Sequence, residues 1–349
     1  MSEIVSDGQD AMRKWVFSLL ISALFCFVTY RLPPQTASSP TNHSAAGSPN
    51  RSFHKTIYTP ACVPLSPETP SDFLFLTVRT TPVKHHSRLK ASQDTWIKDA
   101  ADMKSSDGKK TTKIYVVTDS YTRKSTQENL DGSHIIYETH CGRSIIQSQG
   151  CSLHKELSLF YTVADHARWF CHVDDDAYIN VPALLVLLSQ HNHEEPFYIG
   201  RRSLPTGIWG WDHLNKKHIM VDFVTGQVIC LSKTAMEMLK PLVTELKHPW
   251  NFLRLTRHHP DDIILGYIFQ HYLHMSITES QRMYIQYDDL RNLTETDIRN
   301  AATMSYGRRN VFVLPRENAT VVAEDSISKR FHALHSYYTQ KSRDCQKPE

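Results

Sequence analysis

The sequence of 349 residues is long enough for one large α/β domain or two modest ones, and its 40% hydrophobic content suits a folded protein. A formal charge of +3 sets 39 Lys and Arg against 36 Asp and Glu, too even a balance to imply nucleic acid as a partner. The 20 histidines are numerous, but number alone argues for no metal site.

In chain order, residues 1–14 read as a cytoplasmic tail. Trp15 to Tyr30 is uncharged and apolar, with Arg13 and Lys14 before it and Arg31 after it. A bilayer takes about 20 apolar residues, and somewhat fewer where the membrane is thin. No small-x-small cleavage site follows the run, so residues 15–31 are expected to be a retained signal-anchor rather than a cleaved leader. Pro33 to Ser52 is rich in Pro, Ser, Thr, Ala and Asn, too polar to build a core, and residues 32–68 read as a stem. Asn-x-Ser/Thr sequons at Asn42, Asn50, Asn292 and Asn318 agree with a lumenal chain. Of the seven cysteines, Cys26 lies in the apolar run. Cys62, Cys141, Cys151, Cys171, Cys230 and Cys345 remain, an even set that a lumenal domain can pair; in a reducing compartment they would be free thiols.

From residue 69 onward, strands alternate with helices. Asp72 to Val78 is a compact apolar strand, Ser87 to Lys98 a helix, Lys113 to Val117 a strand ending at Thr118-Asp119, and His134 to Glu138 a third strand. Leu153 to Arg168 has helical spacing, and Trp169 to Val173 is a strand running into Asp174-Asp175-Asp176. Val181 to Gln190 is a helix with Pro182 at its start, and Phe197 to Ile199 a short strand. Strands are expected at Ile219 to Val224 and Val228 to Leu231, then a helix capped by Ser232 through Leu246, and another opened by Pro260-Asp261-Asp262 and ending near Leu273. From Leu290 on the pattern is irregular, with one strand at Val311 to Leu314. The alternation predicts an α/β fold with a mostly parallel central sheet covered on both faces.

Three carboxylates directly after an apolar strand are the strongest local signal. Open α/β sheets bind ligands at the carboxyl ends of their strands. Adjacent Asp174, Asp175 and Asp176 repel one another unless a cation is near, and a hard divalent ion shares oxygen ligands with substrate phosphates. A solvated Asp-rich turn is the plain alternative. Asp261-Asp262 suits a helix N-terminus, where Asp caps backbone N–H groups; one of the pair can instead act as a general base. Both hold if Asp261 caps and Asp262 faces a cleft. Arg88 near the start of the first helix can reach a phosphate, or is a surface arginine. Asp119 can accept from a ribose or uracil, or simply forms a turn.

The stretches 77–96, YVVTD (115–119), RWFCHVDDDAYINVPALLVLL (168–188), YIG (198–200), F-V-T-G (223–226), PDDIILGYI (260–268) and MSYG (304–307) resemble the fringe glycosyltransferases. The resemblance spans most of residues 72–310. It implies a GT-A type fold over a lumenal domain of residues 69–349 and a single-pass type II Golgi membrane protein. The implied activity is inverting, metal-dependent transfer of N-acetylglucosamine from UDP-GlcNAc to the 3-hydroxyl of O-linked fucose on EGF-like repeats, such as those of Notch. By resemblance, Asp176 is the Mn²⁺ ligand, Asp262 the catalytic base, and Arg88 and Asp175 donor contacts; Asp174 and Asp119 are assigned to the donor site from their own positions at strand ends. Cys171 and Cys230 match one family disulfide, and Cys141 and Cys151 resemble another. The sequence departs from the family where its metal histidine is expected, here Gln286 in Met283-Tyr284-Ile285-Gln286, and at its Gly-rich donor segment, here Thr225-Gly226-Gln227-Val228. Cys62 and Cys345 are left over. The competing readings are a related β-1,3-hexosyltransferase with another UDP-sugar and a non-catalytic glycan-binding relative.

Overall fold

In a computed structural model of the chain, residues 70–105, 108–119, 135–141, 145–212, 215–245, 260–307, 312–314, 320–321 and 326–345 are described. The tail, anchor and stem expected at 1–68 lie outside them, as do Cys62 and the sequons at Asn42, Asn50 and Asn318. Among the described residues, no helix is long and apolar enough to cross a membrane. Asn292 is exposed.

The first half follows the expected alternation. Strand β1 (Leu74–Thr80) leads into α1, a helical run of mixed 3-10, π and α turns from Pro82–Lys84 to Lys98–Asp102. Then come β2 (Thr112–Thr118), β3 (Ile135–Glu138), α2 (Ile145–Val163), β4 (Trp169–Asp174), β5 (Ala177–Ile179), α3 (Val181–Ser189) and β6 (Tyr198–Arg202). The second half adds a hairpin of β7 (Ile208–Asp212) and β8 (Lys217–Val221), then β9 (Val224–Ser232), α4 (Lys233–Thr244) and α5 (Asp261–Tyr267), which continues as a π turn over Ile268–Tyr272. Short strands β10 (Ile277–Glu279) and β11 (Met283–Tyr284), helix α6 (Glu295–Asn300), strands β12 (Thr303–Ser305), β13 (Phe312–Val313) and β14 (Thr320–Val321), and helix α7 (Ile327–Cys345) complete it.

The central sheet has seven strands in the order β10-β6-β9-β4-β1-β2-β3. Only β9 runs against its neighbours. Side chains alternate across it, as the period of two requires. Leu74, Leu76 and Val78 of β1 and Trp169, Cys171 and Val173 of β4 join one core layer, with residues of α1, α3 and α7. Phe75 and Phe170 join the other, with residues of α2, α4 and α5. Layers on both faces explain why the middle strands are near-continuous apolar runs. Ser232 caps α4 as expected, its hydroxyl accepting from the Ala235 N–H.

Three expectations are corrected. The strand read as Ile219 to Val224 is split: β8 ends at Val221 and β9 starts at Val224, so Thr225-Gly226-Gln227 lie within a fully buried strand. The hairpin strand β7 was not anticipated. The region after Leu290 is not irregular, because α7 carries Phe331, Leu334 and Tyr337 into the first core layer. Their spacing of three is helical, but the polar residues between them, and buried Arg330, dilute the apolar pattern.

Candidate active site

The site forms where β1 and β4 end side by side. Their register pairs Arg79 with Asp174. Arg79 grips Asp174 Oδ1 through Nε at 3.0 Å and Nη2 at 2.7 Å, and its Nη1 pairs with Asp261 at the start of α5. This is where the expectation that Asp261 caps its helix fails. The N-cap Pro260 makes no side-chain bond, and Asp261 is buried in the ion pair instead.

The turn from β4 to β5 is fastened on all sides. Asp175 N–H donates to the Arg79 carbonyl at 3.0 Å, and its carboxylate accepts from the Thr80 hydroxyl at 2.6 Å. Arg88 spans Asp175 and Asp176 with Nη1 at 3.1 Å from each. Behind the turn, a small sheet of β11, β12 and β5 holds Asp176 in place: the Tyr306 N–H donates to the Asp176 carbonyl at 2.7 Å. The Gln227 amide donates to Asp176 Oδ1 at 3.3 Å, and its oxygen accepts from the Gln286 N–H at 2.9 Å.

Asp262, in the first turn of α5, faces β9 at Gly226, the residue before Gln227. Its Oδ2 accepts from the Gly226 N–H at 3.3 Å and its Oδ1 from the Ile263 N–H at 2.8 Å. A Cβ at Gly226 would stand 3.4 Å from the Asp262 Cβ, so glycine here leaves the face of the carboxylate uncrowded. Burial raises the Asp262 carboxyl above its ordinary range, and the two backbone donors and Arg79 only partly oppose that. Asp176 is pushed up to about 7, first by burial and then by the charge of Asp174, with Asp175 adding to it.

A cleft of about 270 Å³ opens in front of these groups, lined by Arg79, Lys84, Arg88, Asp119, Ser152 and the three carboxylates, among others. Asp119 is buried at its wall. One oxygen accepts from the Cys141 N–H at 2.8 Å, while Oδ2 has no hydrogen-bond partner among the described residues. An unpartnered carboxylate oxygen at a cleft wall is an acceptor waiting for a ligand donor. Asp262 does not line this cleft. It adjoins it through Gly226 and Gln227.

The structure thus gathers Arg88, Asp119, Asp174, Asp175 and Asp176 around one cleft with Asp262 beside it. It also joins Cys171 to Cys230 and Cys141 to Cys151 by disulfides. The first ties β4 to β9, next to the Asp turn and Gln227. The second fixes the segment whose N–H holds Asp119. Arg79, Thr80 and Gln227 were not recognised from the sequence as site residues. A charge ending a buried strand was the one signal for Arg79, and its partners came only from strand register.

Among the described residues no group of three or more His, Cys, Asp and Glu is arranged to hold a metal ion. Yet burial, and then the charges of Asp174 and Asp175, raise Asp176 even with Arg88 beside it, so the turn carries negative charge that a cation can offset. A hard divalent cation that takes one protein carboxylate and completes its shell with phosphate oxygens and water fits that charge. Gln286, where the family's histidine was expected, lies next to Gln227 through its backbone.

The Fringe-like family model matches residues 69–341. A zebrafish (Danio rerio) protein named β-1,3-N-acetylglucosaminyltransferase lunatic fringe is 30% identical over 281 residues, 78% of this chain and 70% of that relative. The Drosophila melanogaster fringe glycosyltransferase is 26% identical over 78% of this chain and 63% of its own length. Among solved structures, the galactosyltransferase LgtC in complex with donor and acceptor sugar analogs aligns with a TM-score of 0.40 at 11% identity, covering 79% of this chain and 97% of that one.

Proposed function

We propose a reaction from one premise: this chain belongs to the Fringe-like family and is a glycosyltransferase. It moves N-acetylglucosamine from UDP-GlcNAc to the 3-hydroxyl of O-linked fucose on EGF-like repeats, with inversion. What carries the reading is the placement of Asp262, a half-buried carboxylate with raised basicity, bonded to the Gly226 N–H beside Gln227, the residue that holds Asp176. The donor's diphosphate lies in the cleft against Arg88 and Lys84, and the free Asp119 oxygen accepts from the nucleoside. Asp175 takes no part in bond making; with Thr80 it orients Arg88 toward the phosphates. Asp262 accepts the proton of the fucose hydroxyl as that oxygen attacks the sugar carbon and UDP leaves from the opposite side. Asp176 would hold Mn²⁺, which supplies charge stabilisation to the departing diphosphate when bound.

Asp262→Asn keeps the shape of the side chain and removes the base. Transfer to an O-fucosylated EGF repeat is expected to fall by about 10²–10⁴ with UDP affinity unchanged. Full transfer by that variant would sink the assignment. Gln227, at the donor segment and bonded to Asp176, favours a second reading, a β-1,3-hexosyltransferase with another UDP-sugar. A screen of UDP-GlcNAc, UDP-Gal and UDP-GalNAc on the same acceptor separates the two.

The anchor at 15–31 sets the domain in the Golgi lumen as a single-pass type II membrane protein. In intact Golgi vesicles a C-terminal tag is then protected from added protease until detergent is present, and cleavage without detergent refutes this orientation.

A further inference from the structure

Behind the carboxylate turn lies a row of ionisable side chains that the reaction above does not use. On the α2 and α5 side of the sheet, the register sets Phe75 beside Phe170, Thr77 beside His172, and Arg79 beside Asp174. The aromatic pair is ordinary core. The next step is not: the His172 side chain and that of Glu156, from α2, are both wholly buried, with Nδ1 2.7 Å from Glu156 Oε2. The Thr77 hydroxyl donates to the same oxygen at 2.9 Å. The other ring nitrogen, Nε2, makes no well-formed hydrogen bond among the described residues. It stands 3.5 Å from Asp174 Oδ1 and 4.0 Å from Asp261 Oδ2, the two carboxylates that Arg79 joins. Charge therefore alternates along the row: Glu156, His172, Asp174, Arg79, Asp261.

A buried ion pair loses several kcal/mol of hydration per ion, and apolar residues of the same volume are commonly as stable or more so. Stability alone is thus a poor reason for this row. Its direction supplies a better one. Helix α5 has no side-chain N-cap, so Asp261 is the charged tether of its first turn, and Asp262 is the next residue. We infer that His172, held by Glu156, is a positioning residue: its cationic ring faces Asp174 and Asp261 and, with Arg79, fixes the start of α5 and so the direction of the Asp262 carboxylate. The inference rests on Asp262 being the base.

The test uses the full-length protein in detergent. The double variant Glu156→Gln/His172→Gln retains a hydrogen-bonding pair and removes both buried charges. It is expected to melt within a few degrees of wild type, to bind UDP within about twofold, and to lose at least tenfold in kcat with donor KM near wild type, because a misdirected base costs turnover rather than binding. A folded double variant with wild-type kcat overturns the inference. Asp261→Asn acts at the other end of the row and leaves the His172–Glu156 pair intact. It is expected to lose kcat to a similar degree, and adding it to the double variant to cost little more, since the groups act as one unit. Wild-type turnover by Asp261→Asn overturns the inference whether or not the double variant folds. The underlying reaction fails in a different way: wild-type protein then transfers no sugar, and Asp262→Asn changes nothing.

Discussion

At the scale of single residues, the environment of Asp262 sets the pH at which it can work. Burial raises its carboxyl and the N–H groups of Ile263 and Gly226 lower it, with burial prevailing. A base must be unprotonated, so kcat declines as pH falls through this pKa. The acid limb of a kcat–pH profile is expected above 3.8, the ordinary aspartate value. A limb at or below that value would remove Asp262 from the role. Asp119 makes a separate prediction. Asp119→Asn keeps the volume but weakens a charge-assisted acceptor worth about 1.5–3 kcal/mol, so donor KM is expected to rise roughly tenfold or more with kcat little changed. Initial rates across UDP-sugar concentrations measure it. Asp174 to Asp176 were legible in the sequence because three adjacent acids after an apolar run have few plain explanations. Glu156 and His172 were not. A glutamate in a helix and a histidine in a strand are ordinary until a register places them in contact.

Among the elements, β1, β2 and β4 could be read from composition because both their faces are covered and apolar residues run on without a break. The hairpin strand β7 alternates half-buried and exposed residues around Gly210 and exposes Trp209 and Trp211, which blurs a two-residue pattern. Helix α7 hides among polar residues, yet it matters to the core. Phe331 is fully buried and meets Tyr178 of β5 edge-on at 5.7 Å between ring centres. Phe331→Ala is expected to cost about 3–5 kcal/mol, read as a shift in urea midpoint. Helix α5 depends on a small residue instead: a Cβ on Gly266 would meet the Asp222 carbonyl oxygen at 2.5 Å, so glycine is what lets α5 lie against the chain entering β9.

Across the whole molecule, the buried row also governs how stability responds to pH. Burial, the largest influence, and Arg79 would lower the His172 pKa, but Glu156 and Asp174 together outweigh them and the ring is pushed up to about 9 from its ordinary 6.5. The folded state thus holds a proton that the unfolded chain releases sooner. The resulting stability is fully present below pH 6.5 and is lost as pH rises through about 9. Urea midpoints of wild type are expected to fall between pH 6.5 and 9.5, and the Glu156→Gln/His172→Gln variant should lack this component of the decline. The same long-range assembly bears on biosynthesis. The turn bearing Asp176 is backed by Tyr306, and Arg330 of α7 lies 5.6 Å over the Tyr306 ring. A ribosome therefore delivers the acidic turn more than a hundred residues before the aromatic ring and the arginine that brace it. The nascent polypeptide passes through much of the second half of its translation with the acidic turn made and its support still unmade.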